Sequence, residues 1–244
     1  MSVQKFYESE AMQNLLGKTL RPGGFELTKR ALEFCRFTAG DKLLDLGCGK
    51  GATMKYISEN YKIDICGLDI SESLAAEAKE MNKKAEIVVS SGEKTPFTDR
   101  TFNGVFAECT LSLMDNLENT VVEMNRIMKS GGYLIISDIY AKNTDYIGGL
   151  SSFSAQTCLK NPHEMEKLKS LLEGRGFSIL IEEKHDKLMK QLVVDIIFGY
   201  GKMEGFWNCT GGHCIDGVKF QETIRKSKLG YFMIIAQKEE NYVK

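Results

Sequence analysis

The stretch Lys42-Leu43-Leu44-Asp45-Leu46-Gly47-Cys48-Gly49-Lys50-Gly51-Ala52 constrains the fold more than any other part of the chain. Its apolar run has the length of a buried strand and stops at three glycines placed at alternate positions, and helix-compatible residues follow at once. Glycines strip the side chains from such a strand-to-helix corner. A ligand can then lie against bare backbone N–H groups at the positive end of a helix.

Around this corner the pattern repeats. Apolar residues at 27, 31, 34 and 35 predict a helix over 25–37, broken by Ala39-Gly40-Asp41 before the strand at 42–46. A helix to about Asn60 leads to a second strand over 63–68, which ends in Asp69-Ile70-Ser71. Ser71 is a good N-cap for a helix over 72–81, and strands follow at 85–89, closed by Ser90-Ser91-Gly92-Glu93, and at 103–107, followed by Glu108-Cys109-Thr110. The stripe Leu117, Val121, Met124 and Met128 predicts a helix stopped by Ser130-Gly131-Gly132, and the strongly apolar run 133–137 a fifth strand. Helices are expected at 162–173, 186–199 and 218–226, and strands at 177–181 and 229–236. Strands alternating with helices at this spacing predict an α/β fold, a mostly parallel sheet with helices on both faces. Ligands of such sheets sit beyond the carboxyl ends of the strands, where the clusters 45–51, 69–71, 91–93, 108–110 and 138–140 all fall.

Composition removes some classes of function. The 244 residues give one large domain, or one domain with an appendage, with ample length for a core. Lys plus Arg number 32 against 33 for Asp plus Glu, so no net basic field favours nucleic acid, and none is expected as a partner. No apolar run approaches the length of a membrane span. Residues 1–12 lack a signal-peptide apolar core, and the seven cysteines, an odd number, fit reduced thiols in a cytoplasm.

The glycine turn also satisfies a dinucleotide fingerprint, with Asp69 placed to grip a ribose. Asp45, two residues before the first glycine, separates the candidates. A pyrophosphate on this turn would meet a carboxylate at close range in a dry cleft, which is costly. S-adenosylmethionine carries no phosphate but an ammonium and a sulfonium, and an acid at the strand tip attracts it. Asp45 then serves the amino-acid end, Asp69 the ribose hydroxyls and Glu93 the adenine, with Glu108 a further acid at a strand end.

With these motifs in order, the sequence resembles the class I S-adenosylmethionine-dependent methyltransferases, in particular the small-molecule branch that includes the ubiquinone/menaquinone methyltransferases. The resemblance covers about Lys42 to Asp138. It rests on Leu44 to Gly51, Gly67-Leu68-Asp69-Ile70-Ser71, Gly92-Glu93 with Pro96-Phe97 and Phe102-Asn103, and the run Asp115 to Lys129 before Gly131-Gly132. It implies a Rossmann-like, doubly wound, seven-stranded sheet in a single domain. Residues 1–40 would form an N-terminal helical cover, 41–185 the cofactor core, 186–228 a helical and loop insertion on the substrate side, and 229–238 the last strand. It implies S-adenosyl-L-methionine as cofactor, bound by Asp45, Gly47, Cys48, Gly49, Gly51, Asp69, Ile70, Gly92, Glu93 and Glu108. The family commonly has Asp where Asn103 stands, a position we read as structural.

Methyl transfer from a sulfonium disperses charge, so alignment and desolvation can carry it without a catalytic triad or metal. A base is needed only for a protonated acceptor, and none is assigned. His163, His185 and His213 read as surface or loop histidines. The acceptor is expected to be a small molecule, with Arg21, Tyr140, Cys158, Trp207, Cys209 and Cys214 as candidate contacts. Arg21-Pro22-Gly23-Gly24 is either a plain surface turn or a flap over the cleft, and Phe206-Trp207 beside a glycine loop suits a lid or an apolar wall. Cys158 lies where the resembling arsenite methyltransferases carry a metalloid-binding thiol, which opens a thiophilic acceptor held with Cys209 and Cys214 as an alternative. Cys48 is also readable as a packed small residue. A zinc site at Cys209, His213 and Cys214 is not expected, because the spacing fits no standard knuckle. A second alternative is a catalytically silent cofactor-binding module.

Overall fold

Seven strands form one sheet in the order β3-β2-β1-β4-β5-β7-β6, made of β1 (Lys42–Leu46), β2 (Asp64–Asp69), β3 (Ile87–Val89), β4 (Phe102–Glu108), β5 (Met128–Ala141), β6 (Phe177–Lys184) and β7 (Leu229–Lys238). β1 pairs in parallel with β2 and β4, and β4 with β5, whereas β7 runs antiparallel to both of its neighbours. The strand order reverses between β1 and β4, and this topological switch places a crevice beyond their carboxyl ends. The computed structural model describes Tyr7, Thr19 and residues 21–153, 157–203, 206 and 217–240.

Eight helices are described: α1 (Glu26–Cys35), α2 (Ala52–Tyr61), α3 (Glu72–Met81), α4 (Leu117–Ile127), α5 (Ile147–Ser151), α6 (Met165–Gly174), α7 (Asp186–Tyr200) and α8 (Gly217–Ser227). Successive strand side chains point to opposite faces, and both faces are covered. On one face Leu44, Leu46, Val105, Leu134, Ile136 and Phe232 pack under Val121, Met124 and Ile127 of α4 and Leu168 and Leu172 of α6. On the other, Leu43, Phe106, Ile135 and Met233 pack under Leu27 and Ala31 of α1 and Met54 and Ile57 of α2. Each fully buried side chain of this kind contributes about 1.5–3 kcal/mol. A third cluster, with Tyr7, Leu74, Leu150, Ile196, Phe206 and Phe220, joins α3, α5, α7 and α8.

The helix starts follow the sequence chemistry. Ser71 Oγ accepts the Leu74 N–H at 3.1 Å, and Asn116 Oδ1 accepts the Asn119 N–H at 2.9 Å. The glycines at 131–132 work otherwise than expected. α4 has already ended at Ile127, and β5 begins at Met128 with an extended ψ of 144°. A Cβ on Gly132 would stand 2.9 Å from the Asn103 carbonyl oxygen, so its bare backbone serves a close approach to β4. Asn103 itself accepts from the Lys42 N–H at 3.1 Å and from Lys129 Nζ at 2.8 Å, a bracing role at the opposite end of the sheet from the crevice.

Candidate cofactor site

A cleft of about 370 Å³ opens beyond the carboxyl ends of β1, β2 and β4. The glycine turn forms its floor. Gly47 and Cys48 donate their N–H groups to the Leu68 carbonyl at 2.7 and 3.0 Å, Gly49 donates to Asp69 Oδ2 at 2.7 Å, and Gly51 donates to the Cys48 carbonyl at 2.8 Å. This corrects the expectation of bare N–H groups, because four turn amides are already bonded within the protein. The turn is stitched to the end of β2 and offers a ligand close backbone approach instead of an anion nest.

Two glycines have different duties. Gly47 has φ +72°, and a Cβ there would stand 2.4 Å from Thr110 Oγ1. Gly51, expected to touch cofactor, lies outside the cleft lining. It caps α2 at φ +76°, with space for a Cβ closed by Asn82 Nδ2 at 2.4 Å, so packing of α2 on α3 is what requires it.

Acids dominate the walls. Asp45 is buried at the tip of β1, and burial, with Glu108 and Asp69 nearby, pushes its carboxyl up to about 8, against the opposing pull of Arg21. Asp69 accepts from Gly49 N–H through Oδ2 and from Ser71 N–H through Oδ1 at 2.9 Å, which fixes the carboxylate at the rim. Glu93 lines the far wall and accepts the Asn116 N–H at 2.8 Å. Ile70, 59% exposed, also lines the cleft, as does Gly92, where a Cβ would meet Leu46 at 2.9 Å.

Glu108 and Arg21 form a buried ion pair at 2.9 Å. Thr28 donates to Glu108 Oε1 at 2.8 Å and Thr53 to Oε2 at 3.0 Å, while Arg21 also reaches Thr28 and Thr53 at 2.7 and 3.0 Å. Arg21-Pro22-Gly23-Gly24 is therefore no plain surface turn: Arg21 and Pro22 are buried, and a Cβ on Gly23 would strike Leu188 of α7 at 2.7 Å. Arg21 lines the cleft, yet its guanidinium is committed to Glu108.

Other candidates fall elsewhere. Tyr140 does not reach the cleft. Its ring lies across Gly230 of β7, where a Cβ would be 2.4 Å from it, and its hydroxyl donates to Asp186 at 3.2 Å. Strand parity puts it on the α4–α6 face with Phe232. His163 is buried, not at the surface, with Nε2 3.4 Å from Asp138 Oδ2. His185 is half-buried beside Glu183 at 3.1 Å. Cys48 lies in the lining but is buried beside Gly67, and burial raises its thiol pKa far above the usual range. Cys158 is half-buried and outside the cleft lining, and its N–H is donated at 3.2 Å to Tyr7 Oη, a lining residue. Trp207, Cys209, His213 and Cys214 lie outside the described residues, among which no group of three or more His, Cys, Asp or Glu side chains could hold a metal ion. Sequence reasoning missed Tyr7 and Thr53, both in the lining, and named Cys109 and Thr110, also there, only within the strand-end cluster 108–110. Only Cys109 and Thr110, directly after a strand end, carried a positional signal.

Residues 44–136 match the family described as "Methyltransferase domain". Over that stretch the chain is similar to a methyltransferase domain. Over 175 residues it is 25% identical to Phosphoethanolamine N-methyltransferase 3 of Arabidopsis thaliana, covering 70% of this chain and 36% of that protein. Over 181 residues it is 24% identical to 24-methylenesterol C-methyltransferase 2 of Oryza sativa subsp. japonica, covering 69% and 50%. The chain thus spans between a third and a half of the length of these curated relatives. In fold it resembles Haemonchus contortus Phosphoethanolamine N-methyltransferase 2 in complex with S-adenosyl-L-methionine, with TM-score 0.76 and 16% identity over 98% of this chain and 60% of that one. It equally resembles the [4+2]-cyclase SpnF, with TM-score 0.75 and 17% identity over 99% and 98%. A methyltransferase-type fold alone does not fix the reaction. Among the described residues no helix is long and apolar enough to cross a membrane.

Proposed function

We propose that this domain binds S-adenosylmethionine in the acid-lined cleft and methylates an uncharged, largely apolar small molecule. The observation that carries the reading is the set of acids: Asp45, Asp69, Glu93 and Glu108 line one cleft with a glycine turn whose amides are already bonded. That set suits a cationic, phosphate-free nucleoside and opposes a pyrophosphate. When bound, this cofactor supplies an electrophilic methyl group on a sulfonium. Asp69, held by two backbone N–H groups, orients the ribose hydroxyls. Asp45 and Glu108 balance positive charge, and Arg21 pairs with Glu108 inside the site. Ile70 and the bare surface at Gly92 leave a slot for a flat base. The walls exclude water, so the displacement is driven by alignment and desolvation.

The acceptor class follows from the remaining lining. Tyr7, Leu74, Leu113 and Met114 are apolar or aromatic, and Tyr7 and Leu74 continue into the third core cluster. The two cations among the described lining residues are both paired, Arg21 with Glu108 at 2.9 Å and Lys50 with Glu77 at 2.7 Å. A phosphate-bearing acceptor such as phosphoethanolamine would find no uncommitted cation there, so a sterol- or isoprenoid-like molecule fits better. A thiophilic acceptor such as arsenite is a second reading, favoured by one placement, that of Cys109 in the cleft lining.

Calorimetry with S-adenosylmethionine and S-adenosylhomocysteine tests cofactor binding first. Methyl transfer to sterols, isoprenoids, phosphoethanolamine and arsenite then tests the acceptor. Methylation of the apolar compounds supports the reading, and methylation of phosphoethanolamine alone overturns the acceptor class. Binding without turnover across the panel favours a silent cofactor-binding module. Absence of binding at millimolar cofactor ends both.

A further inference from the structure

α7 is apolar on two sides. Inward, Met189, Leu192 and Ile196 enter the second and third core clusters, and Tyr200 meets Phe206 with ring centroids 5.3 Å apart. Outward, Val194, Ile197 and Phe198 stand 41%, 44% and 86% exposed, and among the described residues none of the three belongs to a core cluster. Phe198 is the most exposed large apolar side chain among those residues. A helix that only covers a core turns polar residues to water, so this outer face needs another reason.

Charge frames the patch. Helical spacing carries Lys187, Lys190, Val194, Ile197 and Phe198 along one stripe, and Lys202 follows just past the helix end. The three lysines are exposed and enter no ion pair among the described residues. Of the acids on α7, Asp186 is paired with Lys142 at 2.5 Å, and Asp195 accepts from Gln191 Nε2 at 2.8 Å. Apolar side chains set between free ammonium groups suit a helix lying in the surface of an anionic bilayer, its aromatic ring inserted and its lysines among the phosphates. The 15 residues of α7 are too few to span a bilayer, which takes about 20. Two copies packed through the same stripe would set lysines against lysines, which opposes a dimer there.

We propose that the outer face of α7 docks this protein onto an anionic lipid surface. The inner face of the helix meets the third core cluster, which holds Tyr7 and Leu74 of the cleft lining. One apolar cluster thus joins the docking helix to the cleft wall. Supply of an apolar acceptor from the bilayer rests on the methyl-transfer reading above, whereas docking itself does not.

The test sediments the full chain, without cofactor or acceptor, with vesicles of phosphatidylcholine alone or with about one third phosphatidylserine, at low and high salt. We expect binding to the anionic vesicles that weakens as salt rises. Phe198→Ser and the double change Lys187→Glu with Lys190→Glu should each lower the bound fraction by about fivefold or more, with thermal melts like those of the wild type. Wild-type protein that stays in the supernatant with anionic vesicles overturns the proposal. So does equal binding to neutral vesicles, or binding that neither variant weakens. A lipid-free dimer that Phe198→Ser makes monomeric, with no vesicle binding, assigns the face to a second copy and overturns it too. If a variant fails to fold, the lipid and salt dependence of the wild type decides alone. Failure here leaves the methyl-transfer reading to its own calorimetry and acceptor panel.

Discussion

Arg21 Nη2 sits 2.9 Å from Glu108 Oε2 with both side chains shielded from water, which pins the N-terminal turn to the tip of β4. Removing one partner leaves the other charge buried without its counter-ion. Arg21→Gln should cost about 3–5 kcal/mol of stability in urea unfolding. Adding Glu108→Gln should recover part of the loss, because two neutral polar groups tolerate burial better than one bare carboxylate. A single-variant loss below about 1 kcal/mol would mean that the pair behaves as a surface bridge.

Asp45 makes the cleft sensitive to pH. Its folded-state carboxyl value of about 8 lies above the usual carboxylate value near ~4. In that window the folded protein keeps a proton that the unfolded chain has lost. The stability of the ligand-free protein should therefore fall as pH rises and level off above about 8. Asp45→Asn should flatten this slope and make the ligand-free protein more stable than wild type at alkaline pH. A bound cation favours the carboxylate, so cofactor binding at neutral pH should release up to one proton, visible as a dependence of calorimetric enthalpy on buffer ionisation.

Asp69 couples the glycine turn to the cleft rim. Asp69→Ala removes the acceptor for two backbone N–H groups together with the charge facing the ribose, and should weaken cofactor binding by roughly 1–3 kcal/mol. Equilibrium titration measures this, and an unchanged curve would place the ribose elsewhere.

Gly47 and Gly49 should separate folding from binding. Gly47→Ala places a Cβ 2.4 Å from Thr110 Oγ1 at φ +72° and should lower stability by more than the ~1–2 kcal/mol of a left-handed alanine. Gly49→Val, at φ +51°, puts a branched side chain on the cleft floor and should nearly abolish cofactor binding. Thermal melts with and without cofactor distinguish the two effects.

Tyr140→Phe provides the negative control. It loses one hydrogen bond to Asp186, worth about 0.5–1.5 kcal/mol, and should leave cofactor affinity within about twofold.

The sheet and most helices were legible because burial on both faces writes continuous apolar strands between amphipathic helices, and because Ser71 and the glycine turn punctuate them. The positions of Asp45, Asp69, Glu93 and Glu108 were legible for the same reason, since each follows or closes a strand. Tyr140 misled because a strand tail reads alike whichever face it presents, and only the glycine opposite, Gly230, fixes where its ring lies. Tyr7, Thr28 and Thr53 gave no signal, because their roles arise from contacts between distant segments. His163 read as a loop histidine, and it does lie in a loop, but Asp138 draws it inward.

β7 lies between β5 and β6 although it follows both in the sequence. During synthesis, two strand edges must therefore wait, side by side but unjoined, until residues 229–238 emerge. The half of the sheet bearing the cleft can be assembled while this gap is still open. A nascent chain halted before residue 229 would be a target for chaperones at the β5 edge, with its glycine turn already in place.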